Sequence, residues 1–144
     1  MQRKESWDTV HLHQFLLGNA NTPYKWGSQD CCTFAADAIK SITDVDIASD
    51  FRFKYTTEIG AYKAIKKITG RTTVEAAVAY CAEKHGMAEL QHLLMAQRGD
   101  LVMVEDASGL IAGIVHLSGR HVVVVGEEGL KRLPITAVKR AWHY

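Results

Sequence analysis

The sequence predicts an α+β domain whose helices come first and whose antiparallel sheet comes last. Before residue 96, several segments have apolar residues three or four positions apart, which is the spacing of amphipathic helices. From residue 96 onward, short β-branched runs alternate with glycine-containing turns. A chain of 144 residues is sufficient for one core and too short for two ordinary domains. We therefore expect one domain, mainly helical over residues 1–95 and built of strands over residues 96–144.

The helical part contains four predicted helices. Asp30 is an expected N-cap because its side chain can accept a hydrogen bond from an unpaired N–H of the first turn. Gly18, Gly70 and Gly86 follow three of the segments and are typical helix ends. The four segments are residues 8–17, 31–42, 57–68 and 74–84, and the second is expected to be the buried central helix.

The strand part contains three consecutive predicted strands and a fourth that returns to the same sheet. The turns between them are Asp-Ala-Ser-Gly, Ser-Gly-Arg and Gly-Glu-Glu-Gly. The strands are residues 99–104, 110–117, 121–125 and 138–143. Their order predicts a small antiparallel sheet against which the helices pack.

The composition excludes several classes of partner and site. Seventeen basic and sixteen acidic residues give a net charge of +1, so we expect no nucleic-acid partner. No apolar run approaches the roughly 20 residues of a membrane helix, so we expect no membrane insertion. The first apolar segment is interrupted by His11 and His13, which is unlike a signal peptide. The three cysteines are an odd count and two of them are adjacent, which predicts reduced thiols rather than disulfides. They form no two-cysteine zinc pattern, so we expect no metal and no cofactor.

Cys31 is the candidate nucleophile of the chain. A free thiol has a pKa of about 8.5 and becomes a good nucleophile when its thiolate is stabilised. If Asp30 caps the helix, Cys31 lies in the first turn, where unpaired N–H groups and the helix dipole favour an anion. The Asp30 carboxylate opposes this effect unless capping absorbs its charge. The alternative is a buried cysteine that serves as a small apolar side chain, and a partner base is needed to decide.

The segment Tyr24-x-Trp26-Gly27, followed by Asp30-Cys31-Cys32-Thr33-Phe34, resembles the signature of the NlpC-type cell-wall peptidases. Arg98-Gly99-Asp100-Leu101-Val102 is similar to the segment that opens their first central strand. The resemblance implies a papain-like fold, a nucleophile at Cys31, a helix cap at Asp30, and binding residues at Tyr24, Trp26 and Gly27. Nearly the whole chain also resembles small proteins encoded in phage tail gene clusters. The further residues that carry this resemblance are Tyr55, Glu58, Gly60-Ala61, Gly129-Leu130 and Ala141-Trp142.

The catalytic base of that family is a histidine at the start of the second strand, and Ile111 stands in its place here. The third residue of the family's site corresponds to Val123. Neither side chain accepts a proton, so the Cys-His mechanism is not available in this alignment. His116 and His121 are alternative bases, but His116 lies about 17 Å along the strand from position 111. Either would require a different alignment.

The resemblance therefore implies two functions, and whether the protein is an enzyme stays open. In the first, the protein is a structural or assembly component of a phage tail tip. It is made in the bacterial cytoplasm, belongs to the virion and has other tail proteins as partners. In the second, it is an active cysteine peptidase or amidase that cleaves peptidoglycan peptides during genome entry. Ile111 and Val123 favour the first, whereas the Asp30-Cys31 element favours the second. Thioester chemistry on another acyl substrate would also need a base.

Overall fold

A computed structural model describes residues 1–107 and 109–144. It confirms the α+β class, with four α-helices and a six-stranded antiparallel sheet among these residues. The helices are α1 (His13–Asn19), α2 (Cys31–Thr43), α3 (Glu58–Thr69) and α4 (Val74–Lys84). The strands are β1 (Ala88–Glu89), β2 (Leu101–Asp106), β3 (Gly109–Val115), β4 (His121–Val125), β5 (Leu130–Pro134) and β6 (Val138–His143).

Local side chains cap the beginnings of three of the helices, of which the Asp30 cap was predicted. The side chain of Asp30 accepts a hydrogen bond from the backbone N–H of Thr33 at the start of α2. Thr57 and Thr73 cap α3 and α4 in the same way. Gly70 ends α3 with a φ of 77°, a backbone conformation that glycine adopts without the strain of a Cβ.

The first predicted helix differs from expectation. Residues 8–17 are divided between a π-helical segment, Trp7–Leu12, and α1, which begins at His13. In a π-helix each N–H donates a hydrogen bond to the carbonyl five residues earlier. The His11 N–H donates to the Ser6 carbonyl in this way, at 3.3 Å. A helical hydrophobic pattern does not distinguish these two hydrogen-bonding schemes, because both place Leu12 toward the core.

The sheet has the strand order β1-β6-β2-β3-β4-β5, and its neighbouring strands are antiparallel. The predicted meander corresponds to β2, β3 and β4, and the predicted return strand is β6 beside β2. Two edge strands, β1 and β5, were not expected. β1 has only two residues, and β5 exposes Lys131 and Arg132, so neither carries a strong apolar pattern.

The two faces of the sheet are covered differently. Leu101, Met103, Ala112 and Ile114 point toward α2 and belong to the main core. The opposite face carries the alternate residues of the same strands, and the segments around Leu90–Ala96 and Leu133–Ala137 pack on it; its buried residues are Val102, Val104, Val115, Val122, Val124, Val138 and Ala141. Ala112 lies on the face toward α2 and meets Cys31, so the beginning of α2 lies over the middle of β3.

None of the helices in the described residues is sufficiently long and apolar to span a bilayer.

Candidate functional site

The turn before α2 sets the position of Cys31. Lys25 and Gln29 exchange backbone hydrogen bonds of 3.2 and 2.8 Å, which closes the turn around Gly27. Gly27 has a φ of 88°, and a Cβ there would lie 2.3 Å from the Tyr55 carbonyl oxygen. The turn therefore requires glycine for both its backbone conformation and its close approach to Tyr55.

Asp30 is a buried carboxylate with several hydrogen-bond donors around it. Its Oδ1 accepts from the Thr33 N–H at 2.9 Å, and its Oδ2 accepts from the Gly27 N–H at 2.9 Å. The Tyr55 hydroxyl donates to Oδ2 at 2.6 Å. The Thr33 hydroxyl accepts from the Asp30 N–H at 2.9 Å, which completes a capping box. Asp30 thus joins the turn, the start of α2 and the Tyr55 loop.

Cys31 and Cys32 form a close pair of thiols. Their Sγ atoms are 3.9 Å apart, and Cys31 is only 8% exposed. A hydrogen bond from the Cys32 thiol lowers the pKa of Cys31, against the opposing effect of burial, and a backbone hydrogen bond from Ala112 adds to the lowering. The pKa of Cys32 is raised, first by this hydrogen bond and then by burial. Cys31 is therefore the member of the pair that ionises first.

This role of Cys32 was not predicted from the sequence. The nucleophile was assigned to Cys31 alone, and Cys32 was not considered as a hydrogen-bond donor to it. Two adjacent cysteines in the first helical turn were the available signal. Ala112 was also missed, because its contact with Cys31 depends on strand register rather than on local sequence.

Tyr24, Trp26 and Gly27 lie in the segment that leads into α2, and their binding role stays a prediction. The rings of Tyr24 and Trp26 meet edge to face, with centroids 5.2 Å apart, and both residues line the cavity beside Cys31. Burial raises the pKa of Tyr24, and the nearby Cys31 and Asp30 charges raise it further. Tyr24 therefore remains protonated at neutral pH.

The described residues that line the Cys31 cavity include no histidine. Ile111 lines this cavity, and Val123 packs with Phe34 in a neighbouring cluster. His116 lies four residues beyond Ala112, which is about 13 Å along an extended chain. His116 and His121 flank the turn after β3, where the Ser118 N–H donates to His116 Nδ1 at 2.9 Å. The structure does not bring either alternative base to Cys31.

A separate histidine-carboxylate pair lies at the beginning of β2. His143 Nδ1 is 2.6 Å from Oδ1 of the fully buried Asp100. Asp100 precedes β2, whereas Ala112 is paired with Met103, three residues farther along the chain. That separation is about 10 Å along the strand, so His143 does not supply the missing base. The described residues also contain no group of three His, Cys, Asp or Glu side chains suited to a metal ion.

The cavity at Cys31 has a volume of about 380 Å³. It extends from the beginning of α2 to α3 and α4, and β3 lies along another side. Most of its lining is apolar, and its exposed carboxylates are Glu58 and Glu127. The arrangement places a thiol of lowered pKa beside a binding space whose described lining residues include no imidazole to transfer protons.

One family profile, DUF6950, matches residues 2–144 and is described as a domain of unknown function. No curated protein sequence matches the chain.

Proposed function

Because the chain belongs to the DUF6950 family, whose description leaves its function open, we propose a function from the geometry at Cys31. The protein is a noncatalytic relative of NlpC-type peptidases, with their papain-like fold, and acts as a structural or assembly component of a bacteriophage tail tip. Its partners are other tail proteins, and it belongs to the virion.

The observation that carries the noncatalytic part is the lack of a histidine among the described residues around Cys31. Peptide cleavage by a thiolate requires a proton for the departing amine as well as a nucleophile. Ile111 supplies no proton, and the raised pKa of Tyr24 makes its hydroxyl a poor acid. The site therefore retains the nucleophile and lacks an acid, among the described residues, that could protonate the departing amine.

The fold part of the proposal is supported by the arrangement of α2 and the sheet. A cysteine in the first turn of α2 lies against β3, the strand after the one that Leu101 opens, in the order that the sequence resemblance implies. The phage assignment is supported by the sequence resemblance alone. Several large apolar side chains are available for contact with other proteins; they are Phe53, Leu94, Ile59 and Leu17, which are 95%, 86%, 70% and 65% exposed.

The assembly role is tested by purifying phage particles that carry tagged wild-type protein or the Cys31→Ala variant. Both proteins are expected in particles or tail intermediates in equal amount, because assembly does not use the thiolate. Absence of the wild-type protein from particles and from all tail intermediates would refute the assembly role.

A second candidate is a cysteine peptidase or amidase acting on peptidoglycan peptides. The lowered pKa of Cys31 favours it, because a thiolate is the nucleophilic form of cysteine. Purified protein is incubated with muropeptides of several peptidoglycan types, and the products are identified by mass spectrometry. We expect no cleavage. Cleavage that is lost in Cys31→Ala and retained in Cys81→Ala, which removes a buried thiol from α4, would establish the second candidate instead.

A further inference from the structure

The cavity beside Cys31 extends beyond the thiol along α3 and α4. One face of α3 lines it with residues at positions i, i+3, i+4 and i+7, from Glu58 to Ile65, and α4 does the same from Val74 to Cys81. Seven helical residues correspond to about 10 Å of length. The volume of about 380 Å³ lies within the usual range for small-molecule sites. The shape is that of an elongated pocket.

The lining divides into an apolar interior and a polar opening. The buried members are predominantly apolar side chains, including Ile47, Phe51, Ile65 and Val78. Glu58, Tyr62 and Glu127 are exposed members, while Tyr24, Trp26 and Asp106 are partly exposed. A ligand can therefore place a hydrocarbon chain inside while a polar group remains at the opening.

The charges at the opening have one sign. No lysine, arginine or histidine is found among the described lining residues, whereas four carboxylates are: Asp30, Glu58, Asp106 and Glu127. Asp30 is occupied by the helix cap, whereas Glu58 and Glu127 are exposed at the opening. Carboxylates and aromatic faces both attract cations, and the same carboxylates repel an anionic group.

We propose that this cavity binds a small amphipathic cation, with an amine at the opening and an aliphatic chain between α2, α3 and α4. The inference goes beyond the proposed assembly role, which requires only the outer surface of the protein. It also differs from peptide cleavage, because the ligand occupies the pocket without reacting with Cys31.

Binding is measured by calorimetry and by tryptophan fluorescence, since Trp26 lines the cavity. The probes are decylamine, which is protonated at neutral pH, decanol and decanoate, all below their micelle-forming concentrations. We expect saturable binding of decylamine, weaker binding of decanol and the weakest binding of decanoate. Hexylamine should bind more weakly than decylamine, by about fourfold for each methylene removed.

Variants distinguish the opening from the interior. Glu58→Gln and Glu127→Gln should each weaken decylamine binding by about two- to fivefold, because each removes one partly screened charge. Glu128→Gln is the matched control, since Glu128 is exposed beside Glu127 but does not line the cavity. Ala77→Leu should weaken the binding of decylamine and decanol alike by occupying interior volume, with folding verified by circular dichroism.

The inference is overturned if decylamine shows no saturable binding, or if decanoate binds as tightly as decylamine. Equal effects of Glu127→Gln and Glu128→Gln would also contradict it. These measurements use the isolated protein and leave the particle experiment unaffected, so failure of this inference is distinguishable from failure of the assembly role.

Discussion

At the scale of single residues, Cys32 determines the chemistry of Cys31 more directly than any other side chain. When Cys31 is ionised, the thiol of Cys32 donates to its sulfur, and this hydrogen bond is the main cause that lowers the pKa of Cys31. The helix cap contributes by fixing where α2 begins. The pKa of Cys31 is therefore lowered although no histidine is found among the described residues that line its cavity.

We predict that Cys32→Ala raises the pKa of Cys31. With the donor removed, burial dominates and favours the neutral thiol, so less thiolate is present at any given pH. The pH dependence of alkylation by iodoacetamide, followed by peptide mass spectrometry, should move to higher pH. Cys81 is the internal reference, because burial raises its pKa to about 12 and keeps it unreactive at neutral pH.

The matched control is Ser41→Ala, which changes a residue near the other end of α2, keeps Cys81 as the reference and should leave the Cys31 profile unchanged. An identical profile for wild type and Cys32→Ala would show that the thiol pair does not set the Cys31 pKa.

At the scale of elements, the close approach of β3 and β4 depends on a glycine. A Cβ at Gly113 would lie 2.8 Å from both Val122 Cγ1 and the Val123 carbonyl oxygen. Real Cβ atoms require more space than this, so a larger residue would separate the two strands. In contrast, a Cβ at Gly18 in α1 would have no neighbour within 4 Å.

We predict opposite effects of alanine at these two glycines. Gly113→Ala should lower the free energy of unfolding by about 1–3 kcal/mol, because it overpacks a buried site. Gly18→Ala should raise it by about 0.5–1 kcal/mol, because alanine is the better helix former and meets no obstacle. Urea denaturation measures both. A Gly113→Ala variant as stable as wild type would mean that β3 and β4 are not held at this distance.

The elements also show which sequence signals were sufficient. The boundaries of α4 and β4 agree with prediction at both ends, because a capping threonine or flanking turns bound a strong apolar pattern. β5 was missed because its pattern, Leu-Lys-Arg-Leu-Pro, is largely polar and becomes a strand only by pairing with β4. Pairing between strands is a long-range property that a local pattern does not contain.

At the scale of the whole molecule, Arg3 connects the first residues of the chain to the residue before β2 and to the residue after β6. Its Nη2 lies 2.8 Å from Oδ1 of the fully buried Asp100, and its Nε donates to the Tyr144 carbonyl at 3.2 Å. The guanidinium carbon is 4.4 and 4.5 Å from the ring centroids of Trp7 and Tyr144. Planar charge and aromatic stacking together suit arginine better than lysine at this position.

We predict that Arg3→Ala destabilises the protein by about 3–5 kcal/mol, because the buried Asp100 carboxylate loses its permanently charged partner and keeps His143 and the Gln97 N–H. Lys4→Ala is the matched control. Lys4 forms an ion pair with the exposed Asp44, so its removal should cost at most about 1 kcal/mol. Thermal and urea unfolding check both values. Equal stability of the two variants would refute a central role for the Arg3 contacts.

The candidate site could be predicted only in part from sequence. The Asp30 cap and the position of Cys31 follow from residues close together in the chain, and both were expected. The contacts of Cys31 with Ala112 and of Asp30 with Tyr55 join residues that are distant in the chain. Apolar spacing in α3 and α4 predicted helices, but it did not show that their facing residues leave a cavity.

The sequence by itself determined the α+β class, the start of α2 and the presence of a thiol in its first turn, since each depends on neighbouring residues. Only the tertiary structure decided what surrounds that thiol. Packing of α2 on the sheet places Ala112 and the apolar Ile111 near Cys31, while β3 carries His116 away toward the next turn. The physical reason is that strand register and helix packing, which act between distant segments, determine which side chains meet.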